Sequence, residues 1–124
     1  MRMQLFIYGT LKRGHLRAGL LDGQRYLGDA RSSPLYRMYQ VEAYPGLVHE
    51  EEGISLEGEL WEVDPECLAE LDEVEGVEAG LYQRERIMLE NPWQGAGAEA
   101  YFYQHPVDGL ADCGSCWERV AERD

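Results

Sequence analysis

The chain reads as an α+β domain: a small mixed β-barrel of six or seven strands flanked by two or three short helices. Three observations predict it. Short β-patterned runs bounded by turn residues recur along most of the 124 residues. One of them, Ile54 to Val63, alternates well, with Ile54, Leu56, Gly58 and Leu60 on one face and Glu57, Glu59, Trp61 and Val63 on the other. Only one helix has both of its ends written into the residues. A sheet of many short strands with so little helix curls toward a barrel. The length is that of a single domain, residues 1–124, and is sufficient to bury a core.

The elements follow in order. Met3 to Tyr8 is an apolar run of the kind that forms a strand buried on both faces, and it stops at Gly9. His15 to Leu21 carries Leu16, Leu20 and Leu21 at helical spacing, a short helix ended by Gly23. Gln24 to Val41 is β-patterned but interrupted at Ser32-Ser33-Pro34, which makes two strands or one bent strand. Tyr44-Pro45-Gly46 is a turn signal before a short strand at Leu47-Val48, and Glu50 to Gly53 is a solvated acidic loop. After Val63, Asp64 is an N-cap and Pro65 the first helical residue; the helix runs to about Glu75 and stops at Gly76. Tyr82 to Leu89 and Ala98 to Gln104 are strands joined by a turn-rich stretch from Asn91 to Gly97. Ser115 to Glu118 has the capping-box spacing of a short terminal helix.

Charge narrows the partners. Asp and Glu outnumber Lys and Arg 24 to 11, a net charge of −13. Nucleic-acid affinity comes mainly from neutralising phosphates with cations, and anionic membranes also attract cations, so neither is an expected partner. The N-terminus lacks the pattern of a signal peptide, and no stretch approaches the roughly 20 apolar residues of a membrane helix. Three cysteines are too few for a secreted disulfide framework. The cytoplasm is the expected location.

Several motifs fail on inspection. Gly9 and Gly14 have P-loop spacing, but His15 and Leu16 stand where a nucleotide site needs Lys and Ser or Thr. Cys113-Gly-Ser-Cys-Trp117 matches a local papain-type signature, yet it lies at the wrong end of the chain and no histidine follows it. Cys113, Cys116 and His105 could supply three zinc ligands, but a lone Cys-x-x-Cys is a weak signal, and the preferred reading is local packing. No metal and no cofactor are expected. His15, His49 and His105 lack a nucleophile at any recognisable spacing.

One carboxylate stands out. Leu68 and Leu71 define the buried face of the Pro65–Glu75 helix, and Glu66, Glu70 and Glu73 point away from it. Glu75, four residues after Leu71 and seven after Leu68, falls on the apolar face. The helix C-terminus, the neighbouring Asp72 and Glu78, and any burial would push its pKa up, as a group that takes and returns protons near neutrality requires. If the helix frays before Glu75, the side chain is instead in water. Periodicity leaves both readings open.

Tyr8-Gly9-Thr10-Leu11 after an N-terminal strand resembles the signature of the γ-glutamylcyclotransferase-like proteins. The later segments agree in order: Tyr44 to Val48, Leu56 to Asp64, Leu71 to Glu75, then Leu81-Tyr82-Gln83-Arg84. Met3 to Tyr103 is similar to the γ-glutamylamine cyclotransferase and AIG2-like branch. The resemblance implies a mixed barrel with a ligand cavity at one end, and a loop, here Tyr8, Gly9, Thr10 and Leu11, that grips a glutamyl group. Gly9 would let the ligand approach the main chain closely. It also implies that Glu75 is catalytic, as general base and acid, and that Tyr82 and Arg84 wall the pocket or orient Glu75. The implied reaction is a cofactor-free cyclisation of a small γ-glutamyl amine or amide to 5-oxoproline. The rival expectation is a binding module that keeps the cavity for a small zwitterion and does no chemistry. Neither the leaving amine nor the oligomeric state is legible.

Overall fold

The computed structural model describes residues 2–9, 11, 12, 14 and 18–117. The elements are β1 Met3–Ile7, a 3-10 turn Ala18–Leu21, β2 Arg25–Arg31, β3 Tyr36–Val41, β4 Tyr44–His49, β5 Glu57–Val63, α1 Pro65–Val74, β6 Tyr82–Arg86 and β7 Glu99–Tyr103. The α+β class and the strand number agree with the sequence reading. No helix among the described residues is long and apolar enough to cross a membrane.

The strands form one mixed sheet in the order β2-β5-β1-β7-β4-β3, with β6 attached to β7. β7 is the branch point. β6 pairs antiparallel with it along its whole length, from Tyr82↔Tyr103 to Arg86↔Glu99, and so fills one edge. β1 and β4 both run parallel to β7, registered at Leu5↔Glu99 and Leu47↔Phe102. A strand has two edges, so β1 and β4 share the remaining one at different heights and part beyond it. The ladders therefore curl without closing into a ring, and isolated pairs such as Ser32↔Leu89 and Tyr36↔Ile54 bridge the open sides.

Burial on both faces of β1 follows from its apolar run. Phe6 packs with Leu47, Leu56, Leu60 and Phe102 in one core cluster, while Leu5 and Ile7 pack with Trp61, Val63, Leu71 and Tyr101 in the other. β5 feeds both clusters from alternate residues, which is what its alternation encodes. The two strands approach closely at Gly58, where a Cβ would lie 2.5 Å from the Ile7 carbonyl oxygen and 2.7 Å from the Phe6 ring.

The caps of α1 are those the residues specify. Asp64 Oδ1 accepts the Cys67 N–H at 2.8 Å, and Pro65 is the first helical residue. At the other end Gly76 N–H donates to the Glu73 carbonyl at 3.1 Å and Val77 N–H to the Asp72 carbonyl at 3.0 Å. With Gly76 at φ +68°, this is a Schellman closure. The helix is capped on Glu75 and does not fray before it. Its buried stripe is Cys67 and Leu71, with Leu68 only half-buried.

Two local expectations change, and a third falls mainly outside the described residues. Tyr44-Pro45-Gly46 is not a turn; these residues open β4 in register with Gln40 and Tyr39 of β3. The turn is Glu42-Ala43, and Pro45 is tolerated near a strand end, where a missing N–H costs least. Before β2 the helical spacing yields the 3-10 turn, and residues 15–17 lie outside the described residues. At Gly114 to Cys116 the chain turns, and residues 118–124, on which the expected terminal helix falls, also lie outside them.

Candidate active site

Where β1 and β4 part, a cleft of ≈ 360 Å³, counted to its open mouth, enters the molecule. The end of β1 supplies Phe6 and Ile7, and the loop after it supplies Tyr8, Gly9 and Leu11. Tyr44 and Pro45 come from the start of β4, Tyr82 from β6 and Tyr101 from β7. Glu75, half-buried, is the only charged side chain among the described residues that line it.

Glu75 reaches this place because α1 packs Cys67 and Leu71 into the core, and the next position on that stripe is Glu75. Its N–H donates to the Leu71 carbonyl at 2.9 Å, and the Schellman turn fixes the chain beyond it. Burial, then the neighbouring Tyr82 phenol and the Glu75 charge, raise the Tyr8 phenol well above its ordinary pKa. Burial, the hydrogen bond to Asp72 and, more weakly, the Glu75 charge do the same to Tyr101. One carboxylate thus faces two phenols that stay neutral.

The phenols are locked by their own protons. Tyr8 donates to the Tyr101 carbonyl at 2.5 Å, Tyr82 to the Pro45 carbonyl at 2.7 Å and Tyr101 to Asp72 Oδ1 at 2.6 Å. A phenol that has donated its proton retains only acceptor capacity. Among the described residues the cleft thus holds one carboxylate, Glu75, beside three tyrosines whose hydroxyl protons are directed to protein oxygens. That suits a ligand cation such as an ammonium group.

The other expected site residues are placed as follows. Leu11 is buried in the core beneath the loop, and the Lys12 N–H donates to the Gly9 carbonyl at 3.1 Å, closing a tight turn. Thr10 lies outside the described residues. Gly9 lines the cleft, and a Cβ there would lie 2.8 Å from Cγ of Pro45, so its missing side chain also makes room for β4. Arg84 does not line the cleft. Its guanidinium forks onto Asp72 at 2.7 and 3.1 Å and meets Glu99 at 2.6 Å.

Tyr101, Tyr44 and Pro45 were not singled out for the site by sequence reasoning. Tyr44 and Pro45 stand in a segment that carries the resemblance, which is the one signal available for them; Tyr101 is one aromatic among several in an apolar strand. His49 stacks on Phe102 with ring centroids 4.3 Å apart, and neither it nor His105 lines the cleft. Cys116 and Trp117 pack against the loop: buried Lys12 donates through Nζ to the Trp117 carbonyl at 3.1 Å, with the Cys116 sulfur at 3.6 Å. Among the described residues no group of three or more His, Cys, Asp or Glu side chains is arranged to hold a metal ion.

The family described as "Gamma-glutamyl cyclotransferase, AIG2-like" matches residues 5–119. A Vibrio cholerae protein named "Putative gamma-glutamylcyclotransferase" is 36% identical over 120 residues, covering 97% of this chain and all of that protein. The "Gamma-glutamylaminecyclotransferase" of Rattus norvegicus is 33% identical over 106 residues, covering 75% of this chain and 68% of that one. The crystal structure of an AIG2-like protein from Mus musculus superposes with a TM-score of 0.82 at 23% identity, covering 94% and 88% of the two chains, which shows the shared fold. The chain belongs to the gamma-glutamyl cyclotransferase, AIG2-like family.

Proposed function

We propose that this protein cyclises a small γ-glutamyl amine or amide, releasing 5-oxoproline and a free amine, with Glu75 as general base and then general acid. Family membership supports the reaction class. The observation that carries the assignment is that Glu75 is, among the described residues, the one charged side chain lining the cleft and lies there with Tyr8, Gly9 and Leu11. The substrate's α-ammonium would donate to the Glu75 carboxylate. Once a proton has moved to Glu75, the nitrogen lone pair attacks the γ-carbonyl carbon and the ring closes. The bond from that carbon to the departing nitrogen then breaks as Glu75 returns the proton to it, and Glu75 takes a second proton from the ring nitrogen and passes it to the released amine. Of the three ammonium protons, one remains on the lactam nitrogen and two leave with the amine, so the reaction is balanced without a redox partner.

The geometry the enzyme must impose is a curled glutamyl chain with its amine over its own γ-carbonyl. Holding such a near-attack shape can supply several kcal/mol of the barrier, on the order of 7–11 for well-oriented intramolecular reactions. Main-chain N–H groups of Gly9, Thr10 and Leu11 would hold the substrate carboxylate or the developing oxyanion. The test is a panel of γ-glutamyl amides assayed by mass spectrometry for 5-oxoproline, with wild type and Glu75→Gln compared. Wild type should form product. The variant, unchanged in circular dichroism, should lose turnover by about 100-fold or more. Full turnover in Glu75→Gln would overturn the mechanism, and ligand binding without product in wild type would favour a binding module.

A further inference from the structure

Asp72 precedes Glu75 on α1, does not line the cleft, and has no part in the proposed reaction. Its carboxylate nevertheless bonds to Tyr101, which does line the cleft. Oδ1 accepts both the Tyr101 hydroxyl at 2.6 Å and Arg84 Nε at 2.7 Å, and Oδ2 accepts Arg84 Nη2 at 3.1 Å. Arg84 Nη1 donates to Glu99 on β7 at 2.6 Å, which ties the guanidinium to the sheet. Two parallel bonds from a guanidinium to a carboxylate fix direction as well as distance. The Asp72 main-chain carbonyl, in turn, accepts the Val77 N–H that closes the helix around Glu75.

We propose that Asp72 is a positioning residue: held by Arg84, it orients the Tyr101 hydroxyl and anchors the turn carrying Glu75, so that both face the substrate ammonium as acceptors. The inference rests on the assignment of Glu75 made above. Its physical core is the direction of one proton. Tyr101 donates to Asp72, so its oxygen presents lone pairs to anything else that approaches. Without that acceptor the phenol could turn its proton toward the substrate ammonium, setting donor against donor. Asparagine at position 72 has one oxygen where the carboxylate has two, so its amide N–H groups must either face Arg84 Nη2 or turn toward the Tyr101 hydroxyl and Arg84 Nε, and the held arrangement is lost.

The test compares Asp72→Asn, Tyr101→Phe and the double variant with wild type, each corrected for its folded fraction from urea unfolding. On the substrate that wild type turns over, each single variant should lower kcat about 10- to 100-fold with KM changed less than about threefold, as expected when orientation and not affinity is lost. The double variant should lose no more than the worse single one, because both break the same link. Arg84→Lys, which keeps the charge and loses the fork, should fall between wild type and Asp72→Asn. Losses that multiply in the double variant, or a kcat per folded molecule unchanged in Asp72→Asn, would overturn the proposal. The same double-variant cycle in urea unfolding needs no substrate. Coupling there with an active Glu75→Gln would condemn the reaction assignment alone; absence of coupling would condemn the link.

Discussion

The Tyr8 hydroxyl donates to the Tyr101 carbonyl at 2.5 Å across 93 residues of chain. This bond joins β1 to the middle of β7 at the point where the strands lose their register, and both residues wall the cleft. It stands where ladder hydrogen bonds run out, so a side chain does what the backbone elsewhere does.

Removing that hydroxyl should therefore be felt in stability as well as in turnover. Tyr8→Phe loses a buried hydrogen bond and should destabilise the protein by about 1–2 kcal/mol in urea unfolding. Turnover should also fall, since Tyr101 loses one of its two anchors. A variant with wild-type midpoint and wild-type turnover would show that the bond contributes nothing.

Alkaline pH should weaken the fold through the same residues. Tyr8 and Tyr101 are both raised above the ordinary value of 10.0, by burial first and then by neighbouring groups. Below about pH 10 both phenols are protonated in the folded and unfolded chains alike, and their contribution is fully present. As pH rises further, the unfolded chain releases these protons while the folded one retains them, and stability is lost. The decline should approach roughly 1.4 kcal/mol per pH unit for each phenol. Urea unfolding from pH 9 to 11 measures it, and Tyr8→Phe should make the decline shallower.

Gly58→Ala should destabilise by about 1–3 kcal/mol, because the added methyl would need the space of the Ile7 carbonyl and the Phe6 ring. Backbone cannot move aside as a side-chain tip can. The shift of β1 should also reach the cleft, since Phe6 and Ile7 line it. Thermal melting and turnover of this variant report the two effects separately.

Glu42 has φ +56° in the two-residue turn between β3 and β4, a conformation that costs a residue with a Cβ about 1–2 kcal/mol. Glu42→Gly removes that strain and adds about 0.5–1 kcal/mol of chain entropy to be lost on folding. The net expectation is stabilisation by about 0.5 kcal/mol, a rise in Tm of roughly 2 °C. A lower Tm would show that the Glu42 side chain contributes more than its backbone costs.

Glu75 was legible as one of two alternatives, because its cues are local and only the closure of the helix decides between them. Periodicity put it on the stripe of Leu71, and Asp64-Pro65 and Gly76 marked the ends of the helix. Arg84 was not legible in the same way. Tyr82 and Arg84 alternate onto one face of β6, yet Tyr82 reaches the cleft and Arg84 reaches Asp72 on α1. The sequence cannot tell them apart, because α1 covers one part of that face and leaves another open. The second constraint on Gly9 was hidden for a related reason: its small size is legible, but the Pro45 ring it makes room for belongs to another strand.

The amino-acid sequence by itself determined the α+β class, the strand β1 buried on both faces, the alternation of β5 and the caps of α1. Each of these follows from the order of neighbours within one element, where side-chain period and backbone conformation are local properties. Only the tertiary structure decided that β1 and β4 share one edge of β7 and then part, that Tyr101 and Pro45 wall the opening, and that Arg84 holds Asp72 instead of a ligand. Those facts depend on which distant strands meet and at what height, and chain entropy and packing settle that for the whole molecule at once.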